Sequence, residues 1–378
     1  MLLEYPPHES NRGAVIRVVL WHWPVLIFPQ LVSSHLGLFA RLLLALGSLL
    51  LAAVTYSLFE QPIRFSRYLS IRPFATATMA VLIMSIGIAS SATAAFLAHI
   101  ASIKPEQAMI GQAARILPTL YAKECIAEFT DTNPRECSFS SLDSGSIVVL
   151  FGDSHAAQWF SPVEEIADKH GWRLVTLIKS GCPSILISVY NPRLQRINFE
   201  CSVWREAALH RIAEIRPALV ILANWRGYIT GDQPRAPTSR TYDHVSYNEW
   251  KNGMQSTLSQ LDSIRTPVVI LSDTPTPGFD VPTCLSRIAN LQRGTQRCGL
   301  SRSLALDQKL LTIETDVAAT YREVSTLDFT DQFCDRTSCP AVKNGIIVYR
   351  DSDHITDEFA RSLSPVLTRK LVPLVAAK

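Results

Sequence analysis

The apolar residues of this chain fall into two different patterns. From Phe74 to Ala98 no residue is charged, and Ala, Met, Leu, Ile and Val dominate. An apolar stretch of this length predicts a helix that crosses a lipid bilayer. Leu42–Leu58 predicts another span, which Leu36–Ala40 extends if Arg41 snorkels or faces other helices. Ala14–Val32 predicts a further, interrupted span. Buried core helices are the alternative for these last two.

Beyond about Ile100, short apolar runs alternate with longer amphipathic segments. Residues 101–145 are polar and poorly periodic, which predicts a segment that connects the membrane part to a domain at residues 146–378. Strand and helix alternation of this kind predicts an α/β fold with a mostly parallel sheet. The predicted strands are Ile147–Phe151, Arg173–Ile178, Ala218–Ala223, Val268–Ser272 and Glu323–Phe329, and the predicted helices are Gln158–Lys169, Phe199–Ile215, Tyr247–Ile264 and Ser301–Thr320.

The positive charges between the predicted spans Leu42–Leu58 and Phe74–Ala98 set the orientation of the chain. Arg64, Arg67 and Arg72 lie in this short connection, which the positive-inside rule places in the cytoplasm. The span that follows then runs outward. The sequence therefore predicts a bacterial inner-membrane protein whose part after about Ile100 lies outside the membrane, which is the periplasm if the bacterium has two membranes.

The cysteines agree with an exported domain. All eight follow residue 124, and an even number in the exported part favours disulfides in an oxidising compartment. Their order along the chain suggests local pairs, although sequence alone does not fix connectivity. A zinc cluster is the rival interpretation. The suggested pairs are Cys125 with Cys137, Cys182 with Cys201, Cys284 with Cys298, and Cys334 with Cys339.

Charge narrows the choice of partners. The net charge of +3 is too small to indicate nucleic-acid binding, and no basic run is interleaved with aromatic residues. No nucleic-acid partner and no cofactor are therefore expected.

Two motifs at opposite ends of the predicted domain carry candidate chemistry. Ser154 follows Gly152 and Asp153 at the carboxyl end of the first predicted strand, and Asp351 and His354 lie just before the last helical segment. Together they supply a nucleophile, a base and a carboxylate to orient the base. A plain turn is the alternative for the first motif. A metal cluster, formed by the second motif with Asp353 and Asp357, is the alternative for that motif.

Two further strand ends offer hydrogen-bond donors. Gly181 follows the second predicted strand, and a glycine there lets its backbone N–H approach a developing oxyanion. Asn224 follows the third predicted strand and offers a side-chain amide. The alternatives are an ordinary turn glycine and a polar residue that caps a strand end.

These motifs resemble those of the SGNH (GDSL-like) hydrolase superfamily. Gly-Asp-Ser at residues 152–154 and Asp-x-x-His at residues 351–354 are similar to its first and last blocks. The resemblance implies a flavodoxin-like domain with Ser154, His354 and Asp351 as catalytic residues. It also implies an oxyanion hole formed by Ser154, Gly181 and Asn224. The sequence departs from the superfamily in one respect, because the asparagine is not in a Gly-x-Asn-Asp setting.

The membrane part has a resemblance of its own. Leu20-Trp21-His22-Trp23-Pro24-Val25-Leu26 and Val54-Thr55-Tyr56-Ser57-Leu58-Phe59-Glu60-Gln61-Pro62-Ile63-Arg64 look like the closing spans of the membrane acyltransferase-3 family. One branch of that family carries a periplasmic SGNH domain after an extra span. By this resemblance residues 1–73 are a remnant of the acyltransferase bundle and residues 74–100 the extra span. The chain is then expected to be an amino-terminally truncated member.

The two resemblances together imply a function. A membrane acyltransferase would pass an acyl group outward, and the SGNH domain would transfer it, most simply as acetyl, to a cell-surface polysaccharide such as lipopolysaccharide O-antigen, exopolysaccharide or peptidoglycan. Hydrolysis of acyl esters on glycans is the first alternative. A non-catalytic accessory or remnant of a membrane acyltransferase is the second.

Topology and redox state are testable together. A periplasmic reporter fused after Lys378 should be active, because the arginines of the connection mark the cytoplasmic side. Thiol labelling of the unfolded chain without reductant should be low, because the cysteines lie in the exported part. Eight reactive thiols, or a reporter that is active only in the cytoplasm, would contradict this topology.

Overall fold

A computed structural model defines the fold of two compact units, Met1–Lys104 and Pro105–Lys378. The residues that it describes are 21–29, 37–140, 145–229, 245–290 and 294–376.

The first unit is helical. Two of its described stretches, Leu38–Ser70 and Pro73–Ser102, are long and apolar enough to cross a membrane, with mean hydropathies of 2.2 and 2.0. Residues 21–29 are also helical, but the remainder of the predicted span Ala14–Val32 lies outside the described residues. The structure therefore shows a long apolar helical stretch at two of the three positions where spans were predicted. The labelled helices are α1 (Leu38–Thr55), which continues through a π-helical turn at Tyr56–Glu60, α2 (Gln61–Arg64), α3 (Arg67–Ser70) and α4 (Pro73–Ser102).

Helix α4 is apolar on every side. It begins at Pro73, whose missing N–H is harmless in the first turn of a helix, and none of its residues is buried against protein. Large side chains such as Phe74 and Ile86 are 88% and 65% exposed. A helix without a polar face is typical of an apolar surrounding, either a protein core or lipid.

The second unit is built on a seven-stranded sheet. Its strand order is β1-β4-β3-β7-β8-β10, and β2 pairs antiparallel with β4 beside β1. All the other pairs in this sheet are parallel. The strands are β1 (Ile126–Ala127), β2 (Cys137–Ser140), β3 (Ile147–Gly152), β4 (Arg173–Lys179), β7 (Leu219–Ala223), β8 (Val268–Leu271) and β10 (Val324–Leu327).

Helices and short hairpins surround this sheet. The pairs β5 with β6, β9 with β11 and β12 with β13 form separate two-stranded ribbons. The ribbon strands are β5 (Tyr190–Asn191), β6 (Arg196–Ile197), β9 (Leu300–Ser301), β11 (Ser338–Cys339), β12 (Val342–Lys343) and β13 (Ile346–Ile347). The helices are α5 (Pro105–Arg115), α6 (Thr119–Ala122), α7 (Ser154–Ala157), α8 (Phe160–His170), α9 (Phe199–Ile215), α10 (Tyr247–Ser263), α11 (Val281–Asn290), α12 (Arg302–Ala305), α13 (Gln308–Ala318), α14 (Thr330–Phe333), α15 (Asp357–Ser362) and α16 (Ser364–Ala376).

The central strands follow the flavodoxin-like order, in which the first strand lies between the second and the third. The predicted fold class is confirmed, because β3 pairs with both β4 and β7 in parallel. Successive residues of β3 point to opposite faces, so Val148 and Leu150 join one core cluster while Val149 and Phe151 join the other. Open sheets of this type bind ligands where the strand order reverses, beyond the carboxyl ends of the strands. Here that position lies between β3 and β7.

The segment predicted as a connection contributes to this sheet. Strands β1 and β2 both come from it, and Phe139 of β2 is 4% exposed and packs edge-on against Phe160, with ring centroids 4.6 Å apart. The fully buried Lys179 of β4 donates hydrogen bonds to the carbonyl oxygens of Glu128 and Asp131. Burial lowers the pKa of Lys179 to about 8. The polar composition of the segment hid its strands, because each is short and pairs only with a strand distant in sequence.

The four predicted disulfides are all present. Cys125–Cys137, Cys182–Cys201, Cys284–Cys298 and Cys334–Cys339 each close a loop of 5 to 19 residues. No cysteine is left free. The zinc interpretation is therefore wrong, because each sulfur is bonded to another sulfur. Such short closed loops restrict the unfolded chain and stabilise the fold.

Substitution of Phe139 tests whether its segment is part of the domain. In a fragment that spans residues 105–378, Phe139→Ala should lower the free energy of unfolding by about 3–5 kcal/mol, because it leaves a cavity beside Phe160. Urea unfolding followed by circular dichroism measures the change. Phe199→Ala removes a ring that is 59% exposed and should change the value by no more than about 0.5 kcal/mol. Equal effects of both substitutions would contradict a role for β2 in the core.

Candidate active site

The turn after β3 is shaped by a glycine that no other residue can replace. A Cβ atom on Gly152 would lie 2.1 Å from the carbonyl oxygen of Ala223 on β7, and its φ of +155° is rarely adopted by other residues. Close approach of two backbones is a usual reason for glycine at the end of a strand. Strand β3 can therefore end directly against β7, and Ser154 begins helix α7 just beyond this point.

Asp153 ties this turn to the loop that follows β7. Its side chain is fully buried, and its two oxygens accept hydrogen bonds from the N–H of His155 (2.8 Å), the N–H of Trp225 (2.9 Å) and the hydroxyl of Tyr228 (2.9 Å). Burial raises the pKa of Asp153, and these hydrogen bonds act in the opposite direction. A buried carboxylate is tolerated when it is bonded in this way. Asp153 thus holds Ser154 at the junction of β3 and β7.

His354 reaches Ser154 from the far end of the chain. Its Nε2 lies 2.9 Å from the Oγ of Ser154, and its Nδ1 lies 2.9 Å from an oxygen of Asp351. The other oxygen of Asp351 accepts the N–H of His354 at 2.7 Å, which fixes the turn between them. The structure therefore brings Ser154, His354 and Asp351 into one hydrogen-bonded chain.

Gln158, which follows α7, and Ser161 of α8 hold the segment that carries His354. The buried side chain of Gln158 accepts the N–H of Ile355 at 2.9 Å, and Ser161 of α8 donates a hydrogen bond to Asp357 of α15. Asp357, in the first turn of α15, therefore anchors this helix and takes no part in the hydrogen-bonded chain of Ser154, His354 and Asp351. These bonds fix the two ends of the domain against each other beside Ser154.

Two carboxylates share the same imidazole nitrogen. Asp353 Oδ1 also lies 2.9 Å from His354 Nδ1. Burial lowers the pKa of His354, but the hydrogen bonds to Asp351 and Asp353 outweigh it and raise the pKa to about 9. Burial raises the pKa of Asp351, but its interactions with His354 are stronger in sum and hold that pKa well below its usual range. The site thus favours the protonated imidazole.

Gly181 and Asn224 lie at the two strand ends that flank β3. Gly181 has a φ of +60°, and its loop is held by the Cys182–Cys201 disulfide and by Arg205, which donates a 2.7 Å hydrogen bond to the carbonyl of Pro183. The Oδ1 of Asn224 accepts the N–H and the hydroxyl of Ser184 at 2.6 and 2.9 Å. This pairing fixes the amide so that its amino group remains as a donor. Within the described residues, neither Gly181 nor Asn224 forms a hydrogen bond with Ser154, His354 or Asp351.

A second histidine and carboxylate pair lies beside the first. His155 Nδ1 is 2.6 Å from Asp273, both side chains are buried, and the His155 ring lies 4.8 Å from that of His354. Asp273 also accepts the N–H of Arg226 at 2.8 Å. Sequence reasoning missed Asp273 as well as the bonds of Asp153. The position of Asp273 after the predicted strand Val268–Ser272 was the only available signal.

The potential metal-ligand atoms of His155, Asp353 and His354 lie within 4.8 Å of one another, which is close enough for all three to contact one metal ion. The fit is poor, because both ring nitrogens of His354 already face Ser154 and the carboxylates. Binding to His354 would displace one of these partners. The arrangement is better suited to proton transfer between Ser154 and His354.

Comparison with known proteins assigns the domain to a family. The family profile described as "SGNH domain (fused to AT3 domains)" matches residues 124–369, which is more than half of the chain. The chain therefore belongs to this family. SGNH domains act on acyl esters, so the class of enzyme is an SGNH hydrolase or acyltransferase-like protein. A search of curated proteins finds no relative of the chain.

Several solved structures resemble this chain at low identity. The periplasmic domain of a lipopolysaccharide acetyltransferase from Salmonella ser. Paratyphi A is 14% identical, with a TM-score of 0.47 over 72% of this chain and 98% of that one. A GDSL-like lipase from Bacteroides thetaiotaomicron is 13% identical, with a TM-score of 0.33 over 60% and 89%. An acetyl xylan esterase is 13% identical, with a TM-score of 0.33 over 60% and 99%.

Because Asp351 and Asp353 both contact Nδ1 of His354, removing the charge of Asp353 should change the pKa of this histidine. Asp353→Asn should lower the pKa of His354 from about 9 towards its ordinary value of about 6.5, because a neutral amide no longer stabilises the imidazolium. The nitrogen shifts of ¹⁵N-labelled histidine followed from pH 5 to 11 measure this pKa. Asp316→Asn, on exposed helix surface, should leave the curve in place. A curve unmoved by Asp353→Asn would show that Asp351 alone sets the pKa.

Proposed function

We propose that Ser154, His354 and Asp351 form the catalytic triad of a periplasmic O-acyltransferase that modifies a cell-surface polysaccharide. The observation that supports this most directly is the continuous hydrogen-bonded chain from Ser154 Oγ through both nitrogens of His354 to Asp351. Serine becomes a nucleophile when a positioned base can accept its proton. The family assignment independently supports chemistry on acyl esters.

In the first half of the proposed reaction, the acyl group moves to the enzyme. The neutral His354 accepts the proton of Ser154 through Nε2 while Ser154 Oγ attacks the carbonyl carbon of the donor. The bond from that carbon to the leaving group then breaks, and His354 returns the proton to the leaving atom. Asp351 holds the proton on Nδ1, so that Nε2 carries the free electron pair.

In the second half, the acyl group moves to the acceptor. A sugar hydroxyl gives its proton to His354 and attacks the acyl carbon, after which Ser154 leaves and regains the proton. If water takes the place of the sugar, the same steps give hydrolysis. Transfer is favoured over hydrolysis when the cleft holds the sugar hydroxyl closer to the acyl carbon than water.

Three donors are suited to the oxyanion that forms in each half. They are the N–H of Ser154, the N–H of Gly181 and the amide of Asn224, which follow three neighbouring strands at the edge of the sheet. Asn224 is oriented for this role by its two bonds from Ser184. Donors fixed in advance stabilise developing charge without reorganisation.

The membrane part suggests where the acyl group comes from. The family name records fusion to AT3 domains, and two long apolar helices precede the domain here. We propose that these helices anchor the domain in the bacterial inner membrane, with residues 105–378 in the periplasm. The donor would be an acyl group, in the simplest case acetyl, passed outward by a membrane acyltransferase. The four disulfides support the oxidising compartment.

Loss of Ser154 tests the nucleophile. Ser154→Ala should reduce hydrolysis of 4-nitrophenyl acetate by about 10³-fold or more, close to background, because the attacking oxygen is absent. Release of nitrophenol at pH 8 measures the rate. Ser362→Ala removes an exposed helix hydroxyl of the same type and should keep the full rate. Hydrolysis that survives in Ser154→Ala would exclude Ser154 as the nucleophile.

Transfer to polysaccharide is tested in cells. In a host that lacks other O-acetyltransferases, co-expression of this chain with a complete acyltransferase-3 protein should raise the O-acetyl content of extracted lipopolysaccharide, since both donor path and nucleophile are present. Mass spectrometry of the released O-polysaccharide measures it. Ser154→Ala should abolish the rise. An equal rise with Ser154→Ala would exclude a catalytic role for this domain in the transfer.

A further inference from the structure

A cleft of about 560 Å³ opens beside the candidate active site. Its walls come from the loop after β7 and from the segment that leads into α13, and they include Trp225, Tyr247 and Asp307. This volume falls within the range of about 300–1,000 Å³ that is typical of small-molecule sites. None of the proposed catalytic residues lines the cleft.

One residue of the cleft, Trp225, is hydrogen-bonded to the turn that carries Ser154. The N–H of Trp225 donates to Asp153, the residue before Ser154, and the Trp225 ring lies 6.2 Å from that of His155, the residue after it. A ligand that fills the cleft against Trp225 therefore lies beside the turn that carries Ser154. An acyl acceptor has to bind beside this turn as well.

The indole of Trp225 is held in one orientation. A Cβ atom on Gly227 would lie 2.1 Å from the indole Cζ2, so the ring lies directly against the bare Cα of this glycine. Tyr228 packs edge-on against the same indole, with ring centroids 5.2 Å apart and planes at 76°. The hydroxyl of Tyr228 is in turn fixed by Asp153. The ring is thus a rigid apolar platform supported from the active site.

Polar groups also line the cleft. Arg226 donates to the hydroxyl of Thr276 at 3.1 Å and to the carbonyl of Ala305 at 2.8 Å, and Asp307 accepts the hydroxyl of Tyr247 at 2.9 Å. The charges of Arg226 and Asp307 are opposite, so they offset each other. The exposed side chains of Ser303 and Gln308 add neutral donors and acceptors.

We propose that this Trp225 cleft is the acceptor subsite, and that it binds a neutral pyranose with the apolar face of the sugar against the indole. A pyranose ring presents C–H groups on one face and hydroxyls around its edge, which matches a cleft lined by an aromatic platform and by mixed polar groups. The proposal rests on the proposed function, because it assumes that the acceptor is a sugar. Trp225 acts here as a specificity residue, and Gly227 as the residue that positions it.

Sugar binding can be measured without catalysis. The full-length chain with Ser154→Ala, in a detergent that contains no sugar, is mixed with methyl α-D-glucopyranoside, mannopyranoside, galactopyranoside or α-L-rhamnopyranoside. Saturation-transfer NMR detects weak binding and identifies the sugar protons that touch the protein. At least one neutral glycoside should receive saturation, strongest on the C–H groups of one ring face. Methyl β-D-glucuronide should receive less.

Two substitutions and a matched control test the platform. Adding Trp225→Ala removes the ring, and adding Gly227→Ala displaces it, so each should reduce the saturation at least fivefold. Gly145→Ala makes the same chemical change at a glycine whose Cβ meets nothing within 4 Å, and it should preserve the signal. An unchanged signal in Trp225→Ala and Gly227→Ala would overturn the proposal, as would preferred binding of the glucuronide or no binding of any neutral glycoside. Failure of the proposed function would appear separately, as nitrophenol release that does not depend on Ser154.

Discussion

The arrangement of the site depends on the contact between the carboxyl ends of β3 and β7. Only a glycine at position 152 allows the two backbones to meet, because any side chain would overlap the carbonyl of Ala223. The next residue, Asp153, then enters the space between the two strand ends and binds backbone and side-chain donors from both sides. A buried carboxylate without these partners would be strongly unfavourable. The contact therefore fixes the nucleophile turn and the Trp225 loop as a single rigid piece.

A second set of contacts holds the proposed base, His354, against the nucleophile turn. Gln158 and Ser161, which follow the nucleophile in the chain, hold the loop and helix that carry His354 and Asp357. The resulting geometry places one imidazole between Ser154 and two carboxylates. Because both carboxylates favour the imidazolium, the same contacts that orient His354 also raise its pKa. Orientation and basicity are thus set together.

The apolar pattern predicted the main elements well but missed one edge of the sheet, which is formed by β1 and β2. Helix Phe199–Ile215 was predicted to the residue, and the central strands begin and end within one residue or two of their predicted bounds. Strands β1 and β2 were missed, since two to four residues in a polar segment carry no detectable period. Their place is decided by β4, by Lys179 and by the Cys125–Cys137 disulfide. Predicted residues Ser154, Asp351 and His354 meet in the structure, while their catalytic roles stay a proposal.

The sequence by itself determined the α/β alternation and the residue types of the candidate site, because these follow from patterns between near neighbours in the chain. It suggested the cysteine pairs, but only the structure decided their connectivity. Only the tertiary structure decided which distant groups meet. His155 pairs with Asp273 from a separate loop. Asp153 accepts three hydrogen bonds, two of them from the loop that follows β7. In that loop, Gly227 and Tyr228 support the ring of Trp225. The loops come together because the parallel strands all have their carboxyl ends on the same side of the sheet. The turn at Gly152 brings the end of β3 directly against the end of β7.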